Sequence, residues 1–218
     1  MRAVVTCGPS YEPIDEVRRL TNFSTGELGS LLCTALAKRG VATVCLRGVG
    51  STAPPPEGVE VRQFTTNEDL SRQLRKCGEE AEIDGVFHAA ALCDFRPRAV
   101  VDESGRVVNI PKIPTSAGSL TLHLEPTEKI LPRLREWFPK ARIVGWKYEL
   151  AGTAAEALAA ARAQILHNGT DGCVLNGRAA GPGFTVLDRE AEVVAHCGSK
   201  AELCEILADR FLCDRAGA

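Results

Sequence analysis

The sequence predicts a three-layer α/β domain with a mostly parallel sheet, and three features carry that expectation. Short β-branched apolar runs alternate with stretches of helical apolar spacing along most of the chain. The first strand, "RAVVTC" (2–7), is followed by a helical segment and then by "VATVCLRG" (41–48), and a crossover through a helix makes those two strands parallel. The alternation breaks once, over 97–127, where apolar and polar residues alternate in "RVVNIPKIP" and "SLTLHLEP"; this reads as an extended excursion or two-stranded flap.

Each element follows from local chemistry. "RAVVTC" runs into Gly8-Pro9-Ser10, a turn signal that closes a buried strand. A helical pattern covers 25–39 and stops at Gly40. The proline-rich "GSTAPPPEG" (50–58) reads as a surface loop, because strand-like "VEVRQF" (59–64) resumes at once. Asn67 is placed to cap a helix carrying Leu70, Leu74 and Cys77 on one side. "DGVFHAAA" (84–91) is a further apolar strand leading into Leu92-Cys93-Asp94-Phe95-Arg96-Pro97. After the flap come a helix at 128–137, the strand "RIVGWKYE" (142–149), a helix at 153–167, the strand "DGCVLN" (171–176), the runs "TVLD" and "AEVVAHC", and a helix at 200–213. Ligands of parallel sheets sit outside the carboxyl ends of the strands, so a site is expected among 8–29, 92–97, 145–152 and 176–184.

A length of 218 residues with 44% hydrophobic residues suits one sizeable core, and a single domain over 1–218 is expected. The formal net charge is −2 and neither sign collects into a long run, which argues against nucleic acid as a partner. No apolar stretch approaches the roughly 20 residues of a membrane span. The nine cysteines are odd in number, form no CxxC or CxxxC pair, and follow no signal peptide, so free thiols in a cytoplasmic protein are expected, most of them packing as small hydrophobes. No metal site is expected: His88 and His123 have no partner at ligand spacing and read as structural.

The stretch "TNFSTGELGS" (21–30) stands at the mouth of the first crossover. A helix beginning near Thr25 exposes unpaired amides, and Gly26 and Gly29 let an anion approach the backbone. The alternative is a plain helix start, with Ser24 or Thr25 as cap; a Gly-x-x-Gly pair is weak, there is no P-loop lysine, and Glu27 repels phosphate.

Taken with its surroundings, this stretch is more specific. "VVTCGPSYEPIDEVRRLTNFSTGELG" resembles the opening of the phosphopantothenoylcysteine synthetase family, T-x-G-G-T-x-E-x-I-D-x-V-R followed by N-x-S-[ST]-G-x-x-G, through Thr6, Gly8, Glu12, Ile14, Asp15, Val17, Arg18, Asn22, Ser24, Thr25, Gly26 and Gly29. "FHAAALCDFRP", "IPKIPTSAGSLTLHL" and "VGWKYEL" resemble its later segments in the same order. The resemblance implies a Rossmann-like sheet related to ribokinase-like topology, with a dimer-forming excursion, and a two-step ligation. CTP or ATP, accompanied by Mg²⁺, activates the carboxylate of 4′-phosphopantothenate; cysteine then displaces the nucleotide. The flavin-bearing half found in many bacterial members has no counterpart in this sequence, so no FMN is expected, a separate flavin decarboxylase would be a partner, and a homodimer is implied.

On that resemblance Asn22 stabilises the acyl nucleotide and contacts the acid substrate, and Gly8, Ser24, Thr25, Gly26 and Gly29 surround a phosphate. Ala89, Ala90 and Ala91 line the base pocket, Asp94 bonds the sugar or base, and Trp146 stands where the family has Phe, to stack on the base or to pack. The family's K-I-K-K becomes Lys112-Ile113-Pro114-Thr115, so Lys112 survives as a catalytic candidate and the next lysine falls on Pro114. A further lysine pair falls on Gln164 and Asn168, and an opening-motif lysine becomes Glu27. A well-placed cation contributes on the order of 1 to 3 kcal/mol to phosphate binding, so the losses matter. Lys112, Lys129, Lys147 and Arg162 are candidate replacements, with Lys147 as a nucleotide contact and Arg178, in "NGRAAGPGFTVL", as a substrate contact. The alternatives are a nucleotide-binding homologue without turnover and, more distantly, an NAD(P)-dependent oxidoreductase, against which stands the lack of a clean G-x-G-x-x-G after the first strand.

Overall fold

The structure, a computed structural model, describes residues 1–213. Its elements are β1 (Arg2–Cys7), β2 (Tyr11–Pro13), β3 (Arg19–Thr21), α1 (Glu27–Lys38), β4 (Ala42–Gly48), β5 (Glu60–Phe64), α2 (Asn67–Glu80), β6 (Gly85–His88), β7 (Phe95–Val101), β8 (Thr121–Pro126), α3 (Leu134–Trp137), β9 (Arg142–Tyr148), α4 (Ala154–Asn168), β10 (Gly172–Asn176), β11 (Phe184–Asp188), β12 (Val193–Cys197) and α5 (Lys200–Cys213). The central sheet runs β12-β11-β10-β9-β6-β1-β4-β5. From β5 to β10 all neighbours are parallel, and only β11 runs against them. The chain leaves β1 for β4 and β5 on one side and returns to β6 and β9 on the other. Connection direction therefore reverses between β1 and β6, and their carboxyl ends frame a crevice.

Strand alternation divides the core between two faces. Ala3, Val5 and Cys7 of β1 pack with Leu32 and Leu36 of α1 and Leu203, Leu207 and Phe211 of α5. Val4, between them, faces the opposite way, toward Leu70 and Leu74 of α2 and Leu134 of α3. Cys173 and Leu175 of β10 pack on Ala157, Ala161 and Ile165 of α4. Leu70 and Leu74 are fully buried, and truncating either to Ala costs about 2–5 kcal/mol.

The three-layer expectation holds, with local corrections. The cap of α2 is Thr66, whose hydroxyl accepts the Asp69 amide; Asn67 is the first helical residue instead. The helix expected over 128–137 shrinks to a 3₁₀ turn, Leu131–Arg133, and the single turn α3. The helix ends at Trp137 as expected, ahead of Pro139, and Phe138 has left helical geometry; what is lost is its start, where Pro132 lacks the amide that a regular helix from 128 would need. The hairpin β2–β3 was not anticipated.

The excursion forms a two-stranded flap, β7 antiparallel to β8, beginning at Phe95 rather than 97. Asp15 ties it down. Its side chain, 1% exposed, accepts the amides of Val17, Arg18 and Ile113 and pairs with Arg18 at 2.9 Å. Burial alone would raise its pKa, but those three amides and the guanidinium hold the carboxyl below its ordinary value. Arg18 in turn donates to the Ile113 carbonyl.

Candidate functional site

A cleft of about 420 Å³ opens at the crevice between β1 and β6. Its floor is backbone. Gly8 and Gly26, both with φ near +77°, lie back to back. A Cβ on Gly8 would come within 1.8 Å of the Ser51 hydroxyl, and one on Gly26 within 2.8 Å of it. The proline-rich loop buttresses this turn: the Thr25 carbonyl accepts the amides of Thr52 (3.2 Å) and Ala53 (3.0 Å), and buried Arg47 donates to the Ala53 carbonyl.

Gly26 is also the N-cap of α1, with no side-chain cap. Thr25 Oγ1 accepts only the Glu27 amide, at 3.3 Å, so the remaining first-turn amides are left to solvent or a ligand. Gly29 seats the helix on the sheet, since a Cβ there would stand 2.2 Å from Cys7 Cβ.

Opposite lies the extension of β6. Ala89 donates to the Thr6 carbonyl (3.2 Å) and Ala91 to that of Gly8 (3.0 Å), while Ser10 donates back to Ala91 (3.1 Å). Beneath them His88 is buried, and its Nδ1 lies 2.9 Å from Thr6 Oγ1. That oxygen also accepts the Ala90 amide, at 3.2 Å. Burial lowers the His88 pKa to about 4, keeping the ring neutral.

Aromatic residues close the remaining sides. Trp146 and Tyr148 of β9 share a strand face and line the cleft, with Phe184 of β11 and Asn176 of β10. Trp146 also packs against the α1–α5 core, so packing and lining coexist. Phe23, fully exposed, forms the rim.

Of the expected site residues, Gly8, Ser24, Thr25, Gly26, Gly29, Ala89, Ala90, Ala91 and Trp146 come together around this cleft. Five others do not line it. The Asn22 amide donates to the Leu92 carbonyl at 2.6 Å, on the ridge beside the cleft. Asp94 pairs with Lys129, not with Arg96, which reaches Glu125 at 2.8 Å. Lys112 is exposed on the flap segment that Asp15 holds. Lys147 follows Trp146 on a strand and so points to the other face, where it pairs with Glu149 at 3.0 Å. Arg178 donates to the Leu150 carbonyl at 3.2 Å.

Of the other candidate replacement cations, Lys129 is held by Asp94 and Arg162 lies 3.7 Å from Glu192. Gln164 sits behind Trp146 and donates to its carbonyl at 3.3 Å. Sequence reasoning missed Lys200, at the start of α5, which lines the cleft and bonds Glu27 from 173 residues away. Nothing in the local sequence announces such a contact.

Among the described residues no three His, Cys, Asp or Glu side chains converge as a metal cage.

The family model described as DNA/pantothenate metabolism flavoprotein C-terminal domain matches residues 1–209. The chain is 34% identical, over 80% of its length and 41% of the relative's, to the coenzyme A biosynthesis bifunctional protein CoaBC of Thermococcus kodakarensis. It is 29% identical to CoaBC of Mycobacterium bovis, over 93% of this chain and 48% of that one. It thus spans about half the length of these curated relatives, or less. The crystal structure of the DNA/pantothenate metabolism flavoprotein from Streptococcus pneumoniae shares the fold, with a TM-score of 0.84 at 23% identity, covering 98% of this chain and 99% of that one. No helix among the described residues is long and apolar enough to cross a membrane. The chain belongs to the DNA/pantothenate metabolism flavoprotein C-terminal domain family.

Proposed function

We propose that this chain joins the carboxylate of 4′-phosphopantothenate to the amine of cysteine, using CTP or ATP, in coenzyme A biosynthesis. The observation that carries the reading is the convergence, at the switch-point crevice, of an uncapped helix N-terminus, two positive-φ glycines and an aromatic wall. Amides at α1 favour a phosphate, and flat side chains suit a base.

The chemistry has two steps. A carboxylate oxygen attacks the α-phosphorus and pyrophosphate leaves; the cysteine nitrogen then attacks the acyl carbon, and the nucleoside monophosphate leaves with the electron pair of the broken C–O bond. The residues hold rather than react. In this reading the 24–29 turn holds the phosphates, and Ala89 to Ala91 with Trp146 hold the base. Asp94 reaches the sugar, and Asn22 bonds the acyl nucleotide at the crevice mouth. Lys112 and Arg178 approach from the flap and from the 176–184 loop, and Lys147 adds positive potential from the far face of β9. Bound Mg²⁺ would neutralise phosphate charge. Exposed Phe95, Val107, Ile110 and Leu124 give the flap an apolar surface, which supports a homodimer.

A second reading, nucleotide binding without turnover, draws on the missing lysines and on the ion pairs that occupy Lys129, Lys147 and Arg162. One experiment separates them. CTP and ATP are titrated calorimetrically, and pyrophosphate release is then followed with phosphopantothenate and cysteine. Release that depends on the acid supports ligation; tight binding without release supports the second reading; binding of neither nucleotide overturns both.

A further inference from the structure

We propose that Lys200 is a polyphosphate-contacting residue, held by Glu27 while the cleft is empty and transferred to the ligand's phosphates when a nucleotide enters. The inference rests on the nucleotide reading above and goes beyond it in naming a cation, its counter-ion and the selectivity the cation confers.

Among the described residues Lys200 is the one lysine or arginine that lines the cleft. The position where the family resemblance puts a lysine holds Glu27 instead, and that carboxylate is bonded to Lys200. The two are the first residues of α1 and α5, helices packed against the same face of the sheet. A helix N-terminus favours an anion, which suits Glu27 and opposes Lys200. Two helix N-termini and an ammonium therefore gather positive potential at one edge of the cleft, and Glu27 offsets it.

The pair is built to exchange. Its side chains are 43% and 49% exposed, and exposed pairs of this kind hold weakly. A triphosphate, with about four negative charges, competes for the ammonium far better than a single carboxylate. A monophosphate competes little better than Glu27 itself. Lys200 therefore favours nucleoside di- and triphosphates over monophosphates, including the monophosphate product of acid activation, while Glu27, whose pair each of them must break, weakens the binding of all three.

Binding of CTP, ATP and CMP to the full chain is measured calorimetrically for wild type, Lys200→Gln, Lys200→Arg and Glu27→Gln, at low and high salt. Lys200→Gln is expected to weaken triphosphate binding about tenfold, the size of one charge-assisted contact, and to flatten its salt dependence. Lys200→Arg restores most of the affinity. Glu27→Gln tightens CTP binding at least as much as CMP binding, since any ligand that takes Lys200 must break the same pair and the carboxylate's repulsion grows with ligand charge. Unfolding midpoints of all four proteins verify that each variant is folded. Triphosphate binding by wild type that Lys200→Gln leaves unchanged overturns this inference alone. No nucleotide binding by wild type and Glu27→Gln alike overturns the reading of the cleft, and this inference with it.

Discussion

Around the crevice between β1 and β6 the wall is main chain and small side chain: Gly8, Gly26, Gly29 and Ala89 to Ala91, held by backbone hydrogen bonds and by contacts that leave no room for a Cβ. Along the flap side the named residues are charged and exposed, and they are held by ion pairs, Asp94 with Lys129 and Arg96 with Glu125. The first kind of order comes from steric exclusion in a dry interior, where a single added methyl has nowhere to go. The second comes from surface charges that water and salt replace at small cost. Substitutions in the two regions should therefore differ in both size and kind of effect.

The largest effect is expected at the seat of α1. Gly29→Val puts a branched side chain where Cys7 Cβ already lies 2.2 Å from a simple Cβ. The helix must lift from β1, at a cost of about 3 kcal/mol, the upper range for overpacking. Denaturant unfolding should show the loss, with nucleotide binding lost beside it. A fully stable variant would mean that the close seat of α1 is not a constraint.

Next comes the floor of the cleft. His88 is buried and neutral with a pKa of about 4, against an ordinary value near 6.5. The folded pKa is depressed, so the unfolded chain binds the proton more readily. The contribution is whole above about pH 6.5 and is lost as pH falls toward 4, for a total of roughly 3 kcal/mol. Unfolding free energies measured across that window should fall with acidity in the wild type and fall less in His88→Gln, whose amide does not titrate. Equal slopes would place the acid sensitivity elsewhere.

A smaller loss tests a local device on the flap side of the sheet. Thr66 caps α2, and Thr66→Ala should cost about 1 kcal/mol in unfolding free energy. Asn67→Ala would do more if Asn67 were the cap the sequence suggests; its side chain instead donates to the Cys93 carbonyl (2.7 Å) and to Thr127 (3.1 Å), so its removal loosens the loop before the flap. Hydrogen exchange at the first turn of α2 distinguishes the two.

How far these features were legible follows from the range of the forces behind them. The strands of the sheet and helices α1, α2, α4 and α5 rest on apolar periodicity, which is local, and the sequence displays it. The glycine turn and Ala89 to Ala91 were found through the family resemblance and lie where switch-point topology puts a ligand. The hairpin β2–β3 escaped because three-residue strands carry no period, and the helix expected over 128–137 lost its first turns because Pro132 supplies no amide for them. Strand alternation already sets Trp146 and Lys147 on opposite faces, so that division was readable from the sequence. Glu27 and Lys200 were not, since a bond across 173 residues exists only after the sheet has brought α1 beside α5.

The smallest change in stability is expected at Asp94, and there the comparison becomes sharpest. Its side chain and that of Lys129 are each about two-thirds exposed, so the pair contributes between about 0 and 1 kcal/mol and fades with salt. Asp94→Asn should leave the unfolding midpoint nearly unchanged. If Asp94 holds the sugar of the nucleotide, the same substitution raises the nucleotide KM while kcat moves less, because a ground-state contact has been weakened without touching the reacting atoms. Lys129→Met supplies the control: it breaks the same ion pair from the other end, and its effect on KM should be the smaller of the two. If both substitutions shift KM equally, the ion pair matters only as a tether of the flap, and Asp94 has no contact with the nucleotide; if neither does, the flap side of the crevice is electrostatically idle and binding resides in the backbone wall.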